Sequence, residues 1–82
     1  MTSSMLMAAI AKERRTQSGY SHIMVSPDDF QALLDKVFIP GIHGPGPLFF
    51  AGYRLDSCDA LTDGQVLFHS PDKPRTFLVN TQ

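Results

Sequence analysis

SPDDFQALLDKVF, residues 26–38, is the stretch that decides the fold of this chain. Ser26 supplies an N-cap, a proline stands at the first helical position, and two aspartates follow in the first turn, where the helix dipole is positive. Apolar residues then recur at spacings of three and four, as on one face of an amphipathic helix, at Phe30, Leu33, Leu34, Val37 and Phe38. The stretch predicts a helix from Pro27 to about Ile39, because a proline and a glycine follow and end it.

A second helix is predicted nearer the start of the chain, from about Ser4 to Arg15, in a run of strong helix formers. Polar residues and a glycine at 16–19 then interrupt the helical pattern. The whole chain has 82 residues, which is room for a single domain. Within that domain we expect residues 20–82 to form a compact α+β core, and residues 1–19 to form a helix that is mobile or packs on a partner.

Four stretches rich in β-branched and aromatic residues predict strands, at Tyr20 to Val25, Leu48 to Asp56, Gln65 to Ser70 and Thr76 to Asn80. The last three are joined by turn-forming segments, so they predict a three-stranded antiparallel meander with the amphipathic helix on its apolar face. In the stretch from Leu48, strict alternation places Phe49 with Tyr53 and Leu55, opposite Phe50 and Arg54. The predicted fold class is α+β, in the order helix, short strand, amphipathic helix, three-stranded antiparallel meander.

Composition and charge narrow the possible partners. Seven basic and eight acidic residues give a net charge of −1, so no overall field attracts nucleic acid or an anionic membrane. Charged residues make up 18% of the chain, against about a quarter in typical domains. This low share suggests that some surface is covered by a partner, either another protein or a second copy in a homo-oligomer.

The apolar runs and the cysteine content indicate a location. The run at 5–11 is far shorter than the roughly 20 apolar residues of a membrane span, and its charged flank is the reverse of a secretory signal. Cys58 is the only cysteine, so the chain cannot form an internal disulfide. We therefore expect a protein of the reducing cytoplasm with no membrane segment.

Residue types that carry chemistry occur without the spacing that chemistry requires. His22, His43 and His69 lie far apart and show no metal-ligand motif, so surface histidines are the preferred interpretation. Aspartates 56, 59 and 63 do not match the calcium-loop pattern, and the glycines at 41, 44 and 46 lack the lysine of a nucleotide-binding loop. Cys58 has no flanking signature of a cysteine hydrolase. We therefore expect no enzyme, no cofactor and no metal.

One basic cluster is compatible with binding to nucleic acid. Lys12, Arg14 and Arg15 lie at the end of the first predicted helix, with Tyr20 nearby for stacking on a base. Glu13 interrupts the cluster, and cations at a helix C-terminus are also explained by the helix dipole. Nucleic-acid binding is therefore an alternative, and not the preferred function.

The strongest functional indication is an excess of large apolar residues around the loop at residues 40–47, in which six of eight positions are glycine or proline. One helix face and one sheet face have few interior positions for them, so a shared exposed patch is expected. The predicted protein-binding residues are Phe38, Ile39, Ile42, His43, Leu48, Phe49 and Phe50. The alternative is that the aromatic residues complete a single core.

Residues Phe50 to Phe68, FAGYRLDSCDALTDGQVLF, resemble a strand–turn–strand element that recurs in tailed-phage proteins, both small products and major capsid proteins. The resemblance covers about a quarter of the chain and carries over no functional residue. It implies a phage or prophage origin and a non-enzymatic role. We therefore expect a phage-encoded protein that binds a host factor as inhibitor or regulator, or else a structural virion or assembly component that self-associates.

Overall fold

The computed structural model describes residues 1–36 and 48–81, and they form two helices and a five-stranded mixed sheet. This confirms the predicted α+β class. The elements are α1 (Ser3–Thr16), β1 (His22–Val25), α2 (Pro27–Lys36), β2 (Leu48–Phe50), β3 (Tyr53–Ser57), β4 (Gln65–His69) and β5 (Phe77–Asn80).

Helix α2 begins where its sequence signature places it. The Ser26 hydroxyl accepts a hydrogen bond from the Asp29 backbone N–H at 3.1 Å, and the Ser26 carbonyl accepts one from Phe30 at 2.8 Å. Ser26 is therefore the N-cap, with Pro27 as the first helical residue. The described part of the helix ends at Lys36, so the predicted end near Ile39 lies outside the described residues.

The strand order in the sheet is β2-β3-β1-β4-β5, and this differs from a simple meander. Strand β1 lies between β3 and β4, parallel to β3 and antiparallel to β4. The expected direct pairing of β3 with β4 is therefore replaced by two pairings with β1. The β4–β5 hairpin is antiparallel, as the meander predicted. The prediction paired only strands that follow one another in the sequence. It therefore did not include the parallel pairing of β1 with β3, which needs a long connection such as the one that contains α2.

The stretch predicted as one strand from Leu48 to Asp56 is a tight hairpin. Ala51 and Gly52 both have positive φ, at 52° and 88°, which is the backbone of a type I′ turn between two antiparallel strands. Phe50 therefore pairs with Tyr53 and shares a face with it. The predicted alternation was wrong here. Because two residues form the turn, each side chain of β2 points to the face opposite the one that a continuous strand would give it.

One row of paired side chains crosses all five strands on the covered face: Leu48, Leu55, Ile23, Phe68 and Phe77. Both helices pack on this face. Leu6, Ala9 and Ile10 of α1 and Leu33 of α2 belong to the same buried cluster as the strand residues. Since Leu6 and Ile10 are fully buried, α1 is part of the core, although the sequence left it free to be mobile.

Two acidic side chains are buried within this framework. Glu13 of α1 accepts a hydrogen bond from the Tyr53 hydroxyl at 2.5 Å and a longer one, 3.4 Å, from the Tyr20 backbone N–H. Burial raises the pKa of Tyr53, and the bond to Glu13 raises it further, with Arg14 in partial opposition. The second, Asp29, accepts hydrogen bonds from the α-ammonium of Met1 at 2.9 Å and from the Gly64 N–H at 2.7 Å. These bonds join α1, α2 and the sheet.

Candidate protein-binding surface

The face of the sheet opposite the helices is the candidate functional surface. Within residues 1–36 and 48–81, both helices pack on the other face, so this one is uncovered. Two rows of paired residues form it. The first row is Phe49, Arg54, His22 and His69, and the second is Asp56, Met24, Leu67 and Leu78. We call these eight residues the open face.

Apolar side chains on the open face are exposed to an unusual extent. Phe49 at the β2 edge is 58% exposed, and Leu78 at the β5 edge is 45% exposed. Between them, Met24 and Leu67 on the central strands are half-buried. The face therefore presents apolar side chains on four of its five strands, with the charged Arg54 and Asp56 of β3 between Phe49 and the other three. Apolar and charged side chains also mix at protein interfaces.

A histidine pair occupies the middle of the open face. His22 and His69 are directly opposite in the antiparallel register of β1 and β4, with ring centroids 5.0 Å apart. The Ser21 hydroxyl lies 2.6 Å from Nδ1 of His22 and holds that ring in place. Nε2 of His69 is buried and has no hydrogen-bond partner within the described parts of the chain. These two histidines are 47 positions apart in the sequence, and only the pairing of β1 with β4 brings them together.

The environment keeps His69 neutral at neutral pH. Burial lowers the pKa of His69 below its usual value of 6.5, the adjacent His22 lowers it further, and Asp56 acts in the opposite direction. A second positive charge beside His22 would be repelled at this distance. His69 therefore gains its charge only when the solution is acidified.

The structure separates the predicted binding residues. Leu48 and Phe50 are half-buried and pack against the core, while Phe49 alone of the three lies on the open face. The other predicted residues, Phe38, Ile39, Ile42 and His43, lie outside the described residues, as do the glycines at 41, 44 and 46. The parity shift at the turn explains why Phe50, and not Phe49, shares the covered face with Tyr53 and Leu55.

The remaining candidate residues have structural contacts. Asp63 accepts a hydrogen bond from the Ser26 hydroxyl at 2.8 Å, and Cys58 is half-buried, with its N–H bonded to the Val25 carbonyl at 2.9 Å. Arg14 donates to the Ala51 carbonyl at 3.3 Å, and its guanidinium lies 5.7 Å from the centroid of the Tyr53 ring. No group of three or more potential metal ligands occurs among residues 1–36 and 48–81.

Sequence reasoning missed Glu13 and the open face. Glu13 stands between a lysine and an arginine at the end of a helix, a position typical of an exposed charge, and nothing local indicates burial. The open face depends on strand order, which the sequence did not determine. A usable signal was the spacing of three or four residues that links Leu6, Ala9, Ile10 and Glu13 and places all four close together on the helix surface.

No protein-family model, curated protein or solved structure matches this chain. In the described ranges, no helix has the length and apolar character needed to cross a bilayer.

Proposed function

We propose that this protein acts by binding another protein through the open face. The observation that supports the proposal is the uncovered sheet surface on which Phe49 and Leu78 stay exposed while both described helices pack on the opposite side. The binding is non-enzymatic. The resemblance of residues 50–68 to tailed-phage proteins favours a phage-encoded regulator or inhibitor whose partner is a host protein in the cytoplasm.

The chemistry of the open face specifies the partner surface. Apolar residues at both edges favour a flat apolar partner, since each large side chain removed from water contributes roughly 1.5–3 kcal/mol. Arg54 is exposed in the same row as Phe49 and next to the histidine pair. A carboxylate on the partner opposite Arg54 would accept a charge-assisted hydrogen bond. We therefore expect an apolar partner surface that carries at least one acidic residue.

Adjacent phenylalanines provide a matched test. Phe49→Ser removes an exposed side chain from the open face, whereas Phe50→Ser removes one packed on the core. A pull-down from bacterial lysate with mass spectrometry identifies the partner, and calorimetry measures its affinity for each variant. Phe49→Ser is expected to weaken binding at least about tenfold with an unchanged melting temperature, since burial of one large apolar side chain contributes roughly 1.5–3 kcal/mol.

The Phe50→Ser variant is the control for stability. It is expected to lower the melting temperature while its folded fraction binds with the parent affinity. Parent affinity in both Phe49→Ser and Leu78→Ser, with the fold intact, would refute the proposal. A partner that is captured equally by the parent and by both open-face variants does not use this surface.

A second candidate function is assembly by self-association, and the edge strand β5 favours it. Among the strands that the structure describes, Phe77–Asn80 pairs only with β4, so its other side presents backbone groups that another strand can pair with. Light scattering separates the two functions. A structural component grows in mass with concentration on its own, whereas a host-factor regulator gains mass only when its partner is added.

A further inference from the structure

The topology separates the charges of this chain toward opposite ends of the sheet. The C-terminus of α1, the β2–β3 turn and the β4–β5 loop meet at the end where β1 begins. Arg14 reaches the Ala51 carbonyl at 3.3 Å, and Nζ of Lys73 reaches the Ser18 carbonyl at 2.7 Å. We call this the basic end, and its exposed cations are Lys12, Arg14, Arg15, Lys73 and Arg75.

The opposite end, where β1 leads into α2, is acidic. The N-terminus of α2 and the β3–β4 connection meet there, through the bond from Ser26 to Asp63 and the one from Gly64 to Asp29. The exposed acids at this acidic end are Asp28, Asp56, Asp59 and Asp63. Asp29 is buried and paired with an ammonium, so it does not add to the surface charge.

The charge of each end is not neutralised by nearby charges of the opposite sign. The three segments that meet at the basic end contain one exposed acid, Asp72, while Glu13 is buried beneath Tyr53. The α2 N-terminus contributes about half a positive charge to the acidic end, and the α1 C-terminus contributes about half a negative charge to the basic end. Each helix end therefore offsets less than one of the four or five side-chain charges around it. A net charge of −1 conceals two surfaces of opposite sign.

The two ends act as separate surfaces because of their distance. Strands β3 and β4 have five residues each, which spans roughly 15 Å at about 3.3 Å per residue. Exposed charges are screened over about 8 Å at physiological ionic strength. Each end is therefore available to attract an opposite charge from outside the molecule.

We propose that the basic end of one copy docks on the acidic end of a second copy, so that the protein associates head to tail. The occupant follows from charge complementarity, because a second copy presents a surface of opposite sign and similar charge. A long polyanion such as nucleic acid would match only the basic end and would be repelled by the other. An interface between unlike surfaces leaves one free end of each kind, so it extends into a chain or closes into a ring.

Neutralising each end separately tests the proposal. Arg15→Gln with Arg75→Gln weakens the basic end, and Asp28→Asn with Asp59→Asn weakens the acidic end without changing the open face. Asp35→Asn makes the same chemical change in the last turn of α2, away from the acidic end, and is the matched control. Sedimentation velocity at about 20 mM and 500 mM salt measures association, and circular dichroism checks that each variant is folded.

The parent and the Asp35→Asn control are expected to self-associate at low salt and to dissociate at high salt. Each neutralised variant is expected to associate at least about tenfold more weakly, since electrostatic attraction supplies the contact. An equimolar mixture of the two variants is the decisive sample. It is expected to form a discrete 1:1 complex, because it contains one intact basic end and one intact acidic end per pair.

Three results would overturn the proposal. The parent could remain monomeric at low salt, the mixed variants could fail to form the 1:1 complex, or the neutralised variants could associate as tightly as the parent. A monomeric parent that binds a labelled oligonucleotide, with the binding lost in the basic-end variant, would assign that end to nucleic acid. Phe49→Ser is expected to leave head-to-tail association unchanged, so failure here is distinguishable from failure of the open-face function.

Discussion

Glu13 and Tyr53 form a buried hydrogen bond of 2.5 Å between the carboxylate of α1 and the phenol of β3. Glu13 is 1% exposed, so water cannot replace the tyrosine as its donor. Hydrogen bonds to charged groups contribute roughly 1.5–3 kcal/mol, and a buried acceptor left without its donor costs a similar amount. This hydrogen bond therefore holds α1 on the sheet in addition to the apolar contacts between them.

Tyr53→Phe is expected to lower the free energy of unfolding by about 1.5–3 kcal/mol, because it leaves the Glu13 carboxylate buried without this donor. Urea denaturation at pH 7 measures the loss. Glu13→Gln is the control, since its amide oxygen still accepts from Tyr53 and a smaller loss is expected. A Tyr53→Phe variant within about 0.5 kcal/mol of the parent would contradict a stabilising role for this bond.

The histidine pair predicts a pH dependence in the weakly acidic range. The pKa of His69 is lowered below 6.5 in the folded protein by burial and by His22, so the unfolded chain binds more protons as the pH falls through that range. Stability from this site is present above about pH 6.5 and is lost as the pH falls toward the folded-state pKa. The melting temperature of the His69→Gln variant is expected to vary less between about pH 7 and pH 5 than that of the parent, as differential scanning calorimetry can measure.

Asp29 predicts a second loss of stability in stronger acid. Burial alone raises the pKa of Asp29, but hydrogen bonds from Gly64 and the Met1 ammonium, together with the charge of that ammonium, lower it below 3.8. This contribution is present above about pH 4 and is lost as the pH falls below it. Asp29→Asn is expected to cost about 1–3 kcal/mol at neutral pH.

The pH dependence of the Asp29→Asn cost separates it from the histidine effect. The difference in unfolding free energy between parent and Asp29→Asn should shrink as the pH approaches 3, because protonation removes the same charge from the parent. Urea denaturation at pH 7 and pH 3 measures it. An equal difference at both values would mean that the Asp29 charge contributes nothing.

The hairpin turn offers a stabilising substitution. Ala51 has a φ of 52°, a left-handed conformation that alanine disfavours and asparagine tolerates. Ala51→Asn is expected to raise the free energy of unfolding by about 0.5–1 kcal/mol. Gly52→Ala is the matched opposite: a methyl group there meets nothing within 4 Å, so its expected cost of about 1 kcal/mol comes from the φ of 88° alone. In thermal melts, the melting temperature is expected to rise for Ala51→Asn and to fall for Gly52→Ala, relative to the parent.

Local chemistry predicted some parts of this fold well. The N-cap at Ser26 was predictable because a serine, a proline and acidic residues in succession define a helix start without help from the rest of the chain. The Ala51-Gly52 turn was missed because alanine rarely adopts positive φ, so the stretch from Leu48 read as one continuous strand.

Non-local pairing accounts for the remaining differences. The position of β1 between β3 and β4 depends on residues some 30 to 47 positions apart, and no periodicity within β1 specifies them. The open face and the histidine pair follow from that position, so neither was predictable from single segments. Phe49 was a candidate from local apolar crowding, but its place on the same face as Arg54, and not with Tyr53, depends on the turn.

The central place of β1 has a consequence for the order of assembly. Its backbone partners, residues 54–57 and 66–69, are synthesised long after it. During translation α1 and β1 cannot join a sheet until residues 54–57 and 66–69 have left the ribosome. Pairing residues so far apart in the sequence also slows folding, because a long loop must close. Tertiary folding should therefore begin only after residue 69 has left the ribosome, and a nascent polypeptide stalled before residue 66 should remain sensitive to protease.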